Sequence, residues 1–182
     1  PLKNRIPSIP QRGEKAQQKN RRNKFFPPWQ TKWEVKPMAA CGFYRGSGAA
    51  WQQALPPELE KIEDGGAVRQ RCWELLVLDR EGARRLSGQG RMPLCRTLLL
   101  PQDAWREPLR ACQVVSCGLS PRSSLTLSSL AQRRVLCVQR QLTALDDTLI
   151  EPQDIPLPAV WDCWETEHLL LLAGAYLLLG RL

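Results

Sequence analysis

A chain of 182 residues has room for one core and a tail, which excludes two domains of ordinary size. Its 26 Lys and Arg against 18 Asp and Glu give a net charge of +8, but residues 1–36 alone hold ten bases and two acids. The remainder balances, 16 bases against 16 acids, so no net field for phosphates is expected outside residues 1–36.

In chain order, residues 1–38 are rich in Lys, Asn, Gln and Pro and too poor in apolar residues to bury a face, which predicts a disordered basic tail. Lys15, Lys19, Arg21, Arg22 and Lys24 could neutralise phosphates, while Phe25, Phe26, Trp29 and Trp33 could stack on bases or pack back onto the body. Lys almost vanishes after Met38, marking a boundary before a β-rich domain at 39–150. Pro57 to Ile62 is a short helical candidate, with Glu58 and Glu60 suiting a helix start, and Gly65 and Gly66 break it. Cys72–Leu78, Arg96–Leu100, Leu109–Leu119 and Ser124–Leu130 are short apolar runs between Gly and Pro breaks, so they predict strands. Val135, Leu136, Val138, Leu142 and Leu145 are close to helical spacing and predict a helix within 131–147. Residues 151–182 combine a Pro-rich connector with an apolar segment whose last eight residues are compatible with strand or helix. Leu169 to Leu179 is about half the roughly 20 residues that cross a bilayer, so no membrane span is expected.

The sequence offers none of the familiar motifs of catalysis. His168 is the one histidine, with no nucleophile set beside it; Cys112 and Cys117 lack a second ligand pair for zinc, and no Walker or dinucleotide glycine loop occurs. Asp146, Asp147 and Glu151 read as a solvated loop before they read as a magnesium site. The expectation is therefore a non-enzymatic protein with no cofactor, no metal and no small-molecule substrate. Seven cysteines, an odd number with Cys72, Cys95, Cys112, Cys117 and Cys137 in apolar runs expected to bury them, predict free thiols and a reducing compartment, the nucleus or alternatively the cytoplasm, with the mitochondrion as a minor alternative.

Two stretches carry resemblances. Leu109–Leu119, the turn Ser120–Ser123 and Ser124–Leu130 resemble a strand-turn-strand unit of an OB-fold barrel, with Gly118 at the bend, and Arg71–Leu130 as a whole looks like small OB subunits of genome-maintenance complexes that serve single-strand binding, telomere ends or helicase-topoisomerase assemblies. The resemblance implies a mainly β fold with one or two helices around a small OB-like barrel. It also implies a subunit that meets partner proteins through apolar surface, with the tail touching nucleic acid. Thr126–Val135 is similar to the Elongin-binding box of lentiviral infectivity factors, although their His/Cys zinc signature is absent. That likeness implies a cullin adaptor with Leu127, Ala131 and Val135 on one helical face. Thr126–Leu130 is a strand in one reading and a helix in the other. Trp161, Trp164, Leu169, Leu170, Leu172 and Tyr176 complete the candidate protein interface.

Overall fold

The apolar runs Leu75–Leu78 and Leu98–Leu100 do not alternate with polar residues, the pattern of strands covered on both faces. The computed structural model, which describes residues 40–44, 50–88, 93–106, 108–130 and 133–182, builds them in that way. Its strands are β1 (Cys41–Tyr44), β2 (Leu59–Ile62), β3 (Cys72–Leu78), β4 (Leu94–Pro101), β5 (Ala111–Cys117), β6 (Leu125–Leu130), β7 (Arg133–Val138), β8 (Leu142–Thr143), β9 (Leu149–Ile150) and β10 (Gln153–Pro156). The helices are α1 (Gly65–Gln70), α2 (Arg80–Ser87) and α3 (Thr166–Leu178), with 3-10 turns at Ala50–Ala54 and Ala159–Trp161. The fold is mainly β, with one eight-stranded sheet in the order β10-β7-β6-β5-β4-β3-β1-β2 and a small β8-β9 hairpin.

From β2 to β5 the neighbours pair in parallel. β5 meets β6 in parallel through the single pair Cys117↔Leu125, after which β6-β7 and β7-β10 are antiparallel. A core lies on each side of the parallel strands. Leu75, Val77, Leu99 and Val115 face α3 and Trp51, whereas Leu76, Leu78, Leu98 and Leu100 face Val68 of α1 and Ala83 and Leu86 of α2.

α3 is apolar all round because it is buried all round, its residues Leu169–Ala175 lying between the sheet and the segments outside it. Gly174 lets the helix sit close to the sheet: a Cβ would come within 2.8 Å of Leu125 Cδ1 and 3.1 Å of Leu99 Cδ1, so those side chains would have to shift. Gly180, at φ +68°, ends the helix, its N–H donating to Leu177 O and that of Arg181 to Tyr176 O, the double closure that a left-handed glycine permits. The β8-β9 hairpin is docked by Gln113 of β5, whose amide donates to Thr143 O (2.9 Å) and accepts from Thr143 N–H (2.8 Å), as a strand backbone would.

Several sequence expectations need correction. The OB-like barrel is not closed: the sheet is open, with β2 and β10 as its edges. Of residues 57–62, Leu59–Ile62 form strand β2 after a turn, with Leu59 and Ile62 buried while Glu60 and Lys61 face water. The helix expected within 131–147 is replaced by β7 and β8, because β7 has six partners in register on β6 and buries Val135, Leu136 and Val138. Thr126–Leu130 is strand, and the C-terminal run is helix. The basic tail lies outside the described residues. Residues 151–182 supply β10 and α3, and α3 packs against β4, β5 and β6. Among the described residues no helix is long and apolar enough to cross a membrane.

Candidate functional site

Parallel strands all end at the same edge, so the chain segments that follow them converge there, and open α/β sheets bind ligands at that edge. β3 ends at Leu78 and passes directly into α2. Asp79, 5% exposed, caps the helix by accepting from Gly82 N–H at 2.5 Å. Gly82 must lack a side chain: a Cβ would stand 2.5 Å from Tyr44 O, so its absence lets α2 begin against the end of β1. Arg80, the first residue of α2, reaches to the first turn of α3, where its Nε and Nη2 donate to Glu167 Oε2 at 3.1 and 2.7 Å.

β4 ends in a turn that places Asp103 at φ +62°, a left-handed conformation that Asp tolerates better than most residues. Beside it Gln102 N–H donates to Cys117 O at 2.6 Å, and Ser123 Oγ donates to Gln102 Oε1. Cys117 ends β5, its Sγ 3.7 Å from Leu170 O of α3, and burial pushes its thiol pKa far up. These groups surround a cleft of about 370 Å³ between Arg80, Asp103, Gly118, Ser120 and Glu167. A second cleft of about 410 Å³ is lined by Arg80, Arg84, Ser87, Asp103, Ala104 and Arg106. Arg80 and Asp103 border both.

The charges of the second cleft are unequally engaged. Hydrogen bonds from Arg84 and Arg85 hold the Glu81 carboxyl down at about 2, so those two guanidiniums are committed to it. Arg106 is exposed and has no ion-pair partner among the described residues. α3 starts beside the first cleft with Glu165 at its cap, which makes no side-chain bond to the first-turn N–H groups.

Of the sequence-predicted residues, Lys15, Lys19, Arg21, Arg22, Lys24, Phe25, Phe26, Trp29 and Trp33 lie outside the described residues, as does Ala131. Leu127 and Val135 stand on adjacent antiparallel strands, Leu127 opposite Leu136 and Val135 opposite Ser128, so they share no helical face. Leu169, Leu170 and Leu172 are fully buried within the chain's own core. Trp161, Trp164 and Tyr176 are half-buried around it, with Trp161 and Tyr176 rings 5.2 Å apart and Tyr176 Oη donating to Ala54 O. His168 stacks on Trp51 at 4.7 Å and faces Glu165. All seven cysteines are free; Cys72 and Cys112 are exposed, against the expectation that their apolar runs bury them. Cys72 opens its strand and Cys112 lies near the start of β5, where the strand's pattern still alternates with exposed positions.

Arg80, Asp103 and Arg106 carried no signal in isolation, because they are brought together only by strand order. The one local clue was an apolar run followed at once by Asp-x-x-Gly, a strand end passing into a capped helix. Among the described residues no group of three His, Cys, Asp or Glu is placed to hold a metal ion. No protein-family model, no curated protein and no solved structure matches this chain.

Proposed function

We propose that the chain is a binding protein whose ligand, a small anion, sits at the carboxyl ends of β3, β4 and β5. The observation that carries this reading is the pair of clefts sharing Arg80 and Asp103 at that edge, with the first turns of α2 and α3 beside them. Arg80 is held by Glu167 and can turn to a ligand oxygen, and Arg106 supplies a charge with no ion-pair partner among the described residues. Binding is favoured over catalysis because the groups of nucleophile type are quiet: burial keeps Cys117 a thiol, Ser120 Oγ accepts from Arg122 N–H, and His168 is committed to Trp51 and Glu165.

Calorimetric titration of the full chain with inorganic phosphate and with pyrophosphate tests the reading. Replacing Arg80 and Arg106 by Gln should weaken the anion that binds by tenfold or more, since a charged hydrogen bond contributes about 1.5–3 kcal/mol. Saturable binding that the double variant leaves untouched, or no binding by the parent chain, would sink it.

A second reading, an assembly subunit whose basic tail touches nucleic acid, is supported by the confinement of the whole +8 to residues 1–36. Replacing Lys15, Lys19, Arg21, Arg22 and Lys24 by Gln should then flatten the salt dependence of single-strand binding, by roughly 0.7–0.9 in log-log slope per lost contact. An unchanged slope removes this reading and leaves the first standing.

A further inference from the structure

Of the strand edges without a sheet neighbour among the described residues, three differ in how they are guarded. The outer strand β10 carries Pro156 and is flanked by Pro152 and Pro158, residues that cannot donate to an added strand. The outer strand β2 is four residues long and turns Glu60 and Lys61 to water, with Glu58 and Glu63 at its ends. The third place is internal. β6 meets β5 only at Leu125, while all six of its residues pair with β7, so Thr126–Leu130 runs on past the end of β5 with one side unpaired.

The direction of the free groups follows from the ladder. Gly118 N–H donates to Leu125 O at 3.1 Å, so Leu125 turns its backbone toward β5. By alternation Leu127 and Ser129 do the same, while Thr126, Ser128 and Leu130 bond to β7. Among the described residues no bond is made to the Leu127 N–H or C=O on that side. This stretch, Thr-Leu-Ser-Ser-Leu, contains no charge, no proline and no glycine, so none of the devices that guard β2 and β10 protects it.

We propose that this edge of β6 receives an extended acidic peptide by strand addition. Five residues at about 3.3 Å each span about 17 Å, the length of a short recognition segment. Charge names the occupant. Arg122, in the turn before β6, and Arg133, opposite Leu130 at its far end, are both exposed and lack an ion-pair partner among the described residues, so carboxylates at the two ends of the peptide would meet them. A second copy of the chain pairing through the same edge in antiparallel fashion would set the Arg122 end of one against the Arg133 end of the other, placing like charges together.

The test uses the full chain and a fluorescein-labelled peptide with glutamate at both ends and alternating valine and threonine between them, read by fluorescence anisotropy. Saturable binding is expected. Ser129→Pro should weaken it at least tenfold, because it deletes an outward N–H while the bonds of Ser128 and Leu130 to β7 remain. N-methylating alternate residues of the peptide, in the register that faces β6, should do the same and requires no change in the protein, so it decides the matter if S129P fails to fold. R122Q with R133Q should weaken binding several-fold, and R85Q should leave it unchanged. Absence of binding by the folded parent chain, binding indifferent to N-methylation in both registers, or equal binding by folded S129P overturns the proposal. So does self-association, by sedimentation, that S129P abolishes, since the occupant would then be a second copy.

Discussion

The parallel half of the sheet, β2 to β5, and the antiparallel half, β6, β7 and β10, solve burial in different ways. Leu75–Leu78 and Leu98–Leu100 are covered on both faces, and the strands' common carboxyl edge collects Arg80, Asp103 and Gly118. In the antiparallel half Leu125, Leu136 and Val138 face α3, while Cys137 is half-exposed and Asp154 exposed. The lesson is that coverage of both faces concentrates stability in one half and leaves chain ends available for a site, whereas the other half keeps backbone edges available instead.

The largest test of that difference is packing. Leu98→Ala, at a fully buried position between the two layers, should cost about 3–5 kcal/mol in urea unfolding, and Leu127→Ala, at a half-buried one, about 1–1.5. A reversed order breaks the comparison.

Gly82→Ala sharpens it. Helix propensity alone favours Ala by up to about 1 kcal/mol, but the new Cβ meets a backbone carbonyl that cannot rotate away, so a net loss of about 1–3 kcal/mol is expected. A stabilised variant would mean that α2 is not seated against β1 in solution.

Thiols report a second contrast, within the parallel half itself. Buried Cys95 and Cys117 should react slowly with a thiol reagent, exposed Cys72 and Cys112 of the same half quickly, as should Cys163 before α3, and all seven after denaturation without reductant. Burial pushes Cys95 up to about 12 from an ordinary 9. Above pH 9 the unfolded chain therefore releases a proton that the folded one keeps, so stability is independent of this group below pH 9 and falls between 9 and 12 by about 1.4 kcal/mol per pH unit. Cys95→Ala should make the alkaline limb shallower in chemical denaturation at stepped pH.

The smallest effect belongs to the antiparallel half. Arg134 Nη1 donates to Trp164 O at 2.7 Å and its Nε stands 3.9 Å from Asp162 Oδ1, a partly exposed arrangement, so Arg134→Gln should cost about 0.5–1.5 kcal/mol. A loss rivalling that of Leu98→Ala would show that the segment before α3 matters more than its exposure suggests.

Individual strands were legible where apolar runs met turn residues: Cys72–Leu78 is β3, and Ser124–Leu130 differs from β6 by one residue. Their order was not, because alternation and composition describe one strand at a time, while parallel pairing depends on which runs are covered twice. The unbroken Leu-Leu-Val-Leu of residues 75–78 carried that information and argued against a barrel, whose strands show one face to water on the outside. For residues 166–178, an all-round apolar helix has no periodicity to betray it; Gly180 was the available sign, a C-terminal stop. The candidate site needed the fold, since Arg80, Asp103 and Glu167 are far apart along the chain.

The single pair between β5 and β6 has a mechanical consequence. Backbone bonding there is a stitch and not a seam, and α3 reinforces it, laid over β4, β5 and β6 with Gly174 against Leu99 and Leu125. α3 follows the ten described strands in sequence, so on the ribosome those strands emerge before their splint does. Until it docks, Leu99, Val115 and Leu125 wait as an open apolar face at the weakest joint of the sheet, the interval in which a nascent chain of this kind most needs shielding from its neighbours.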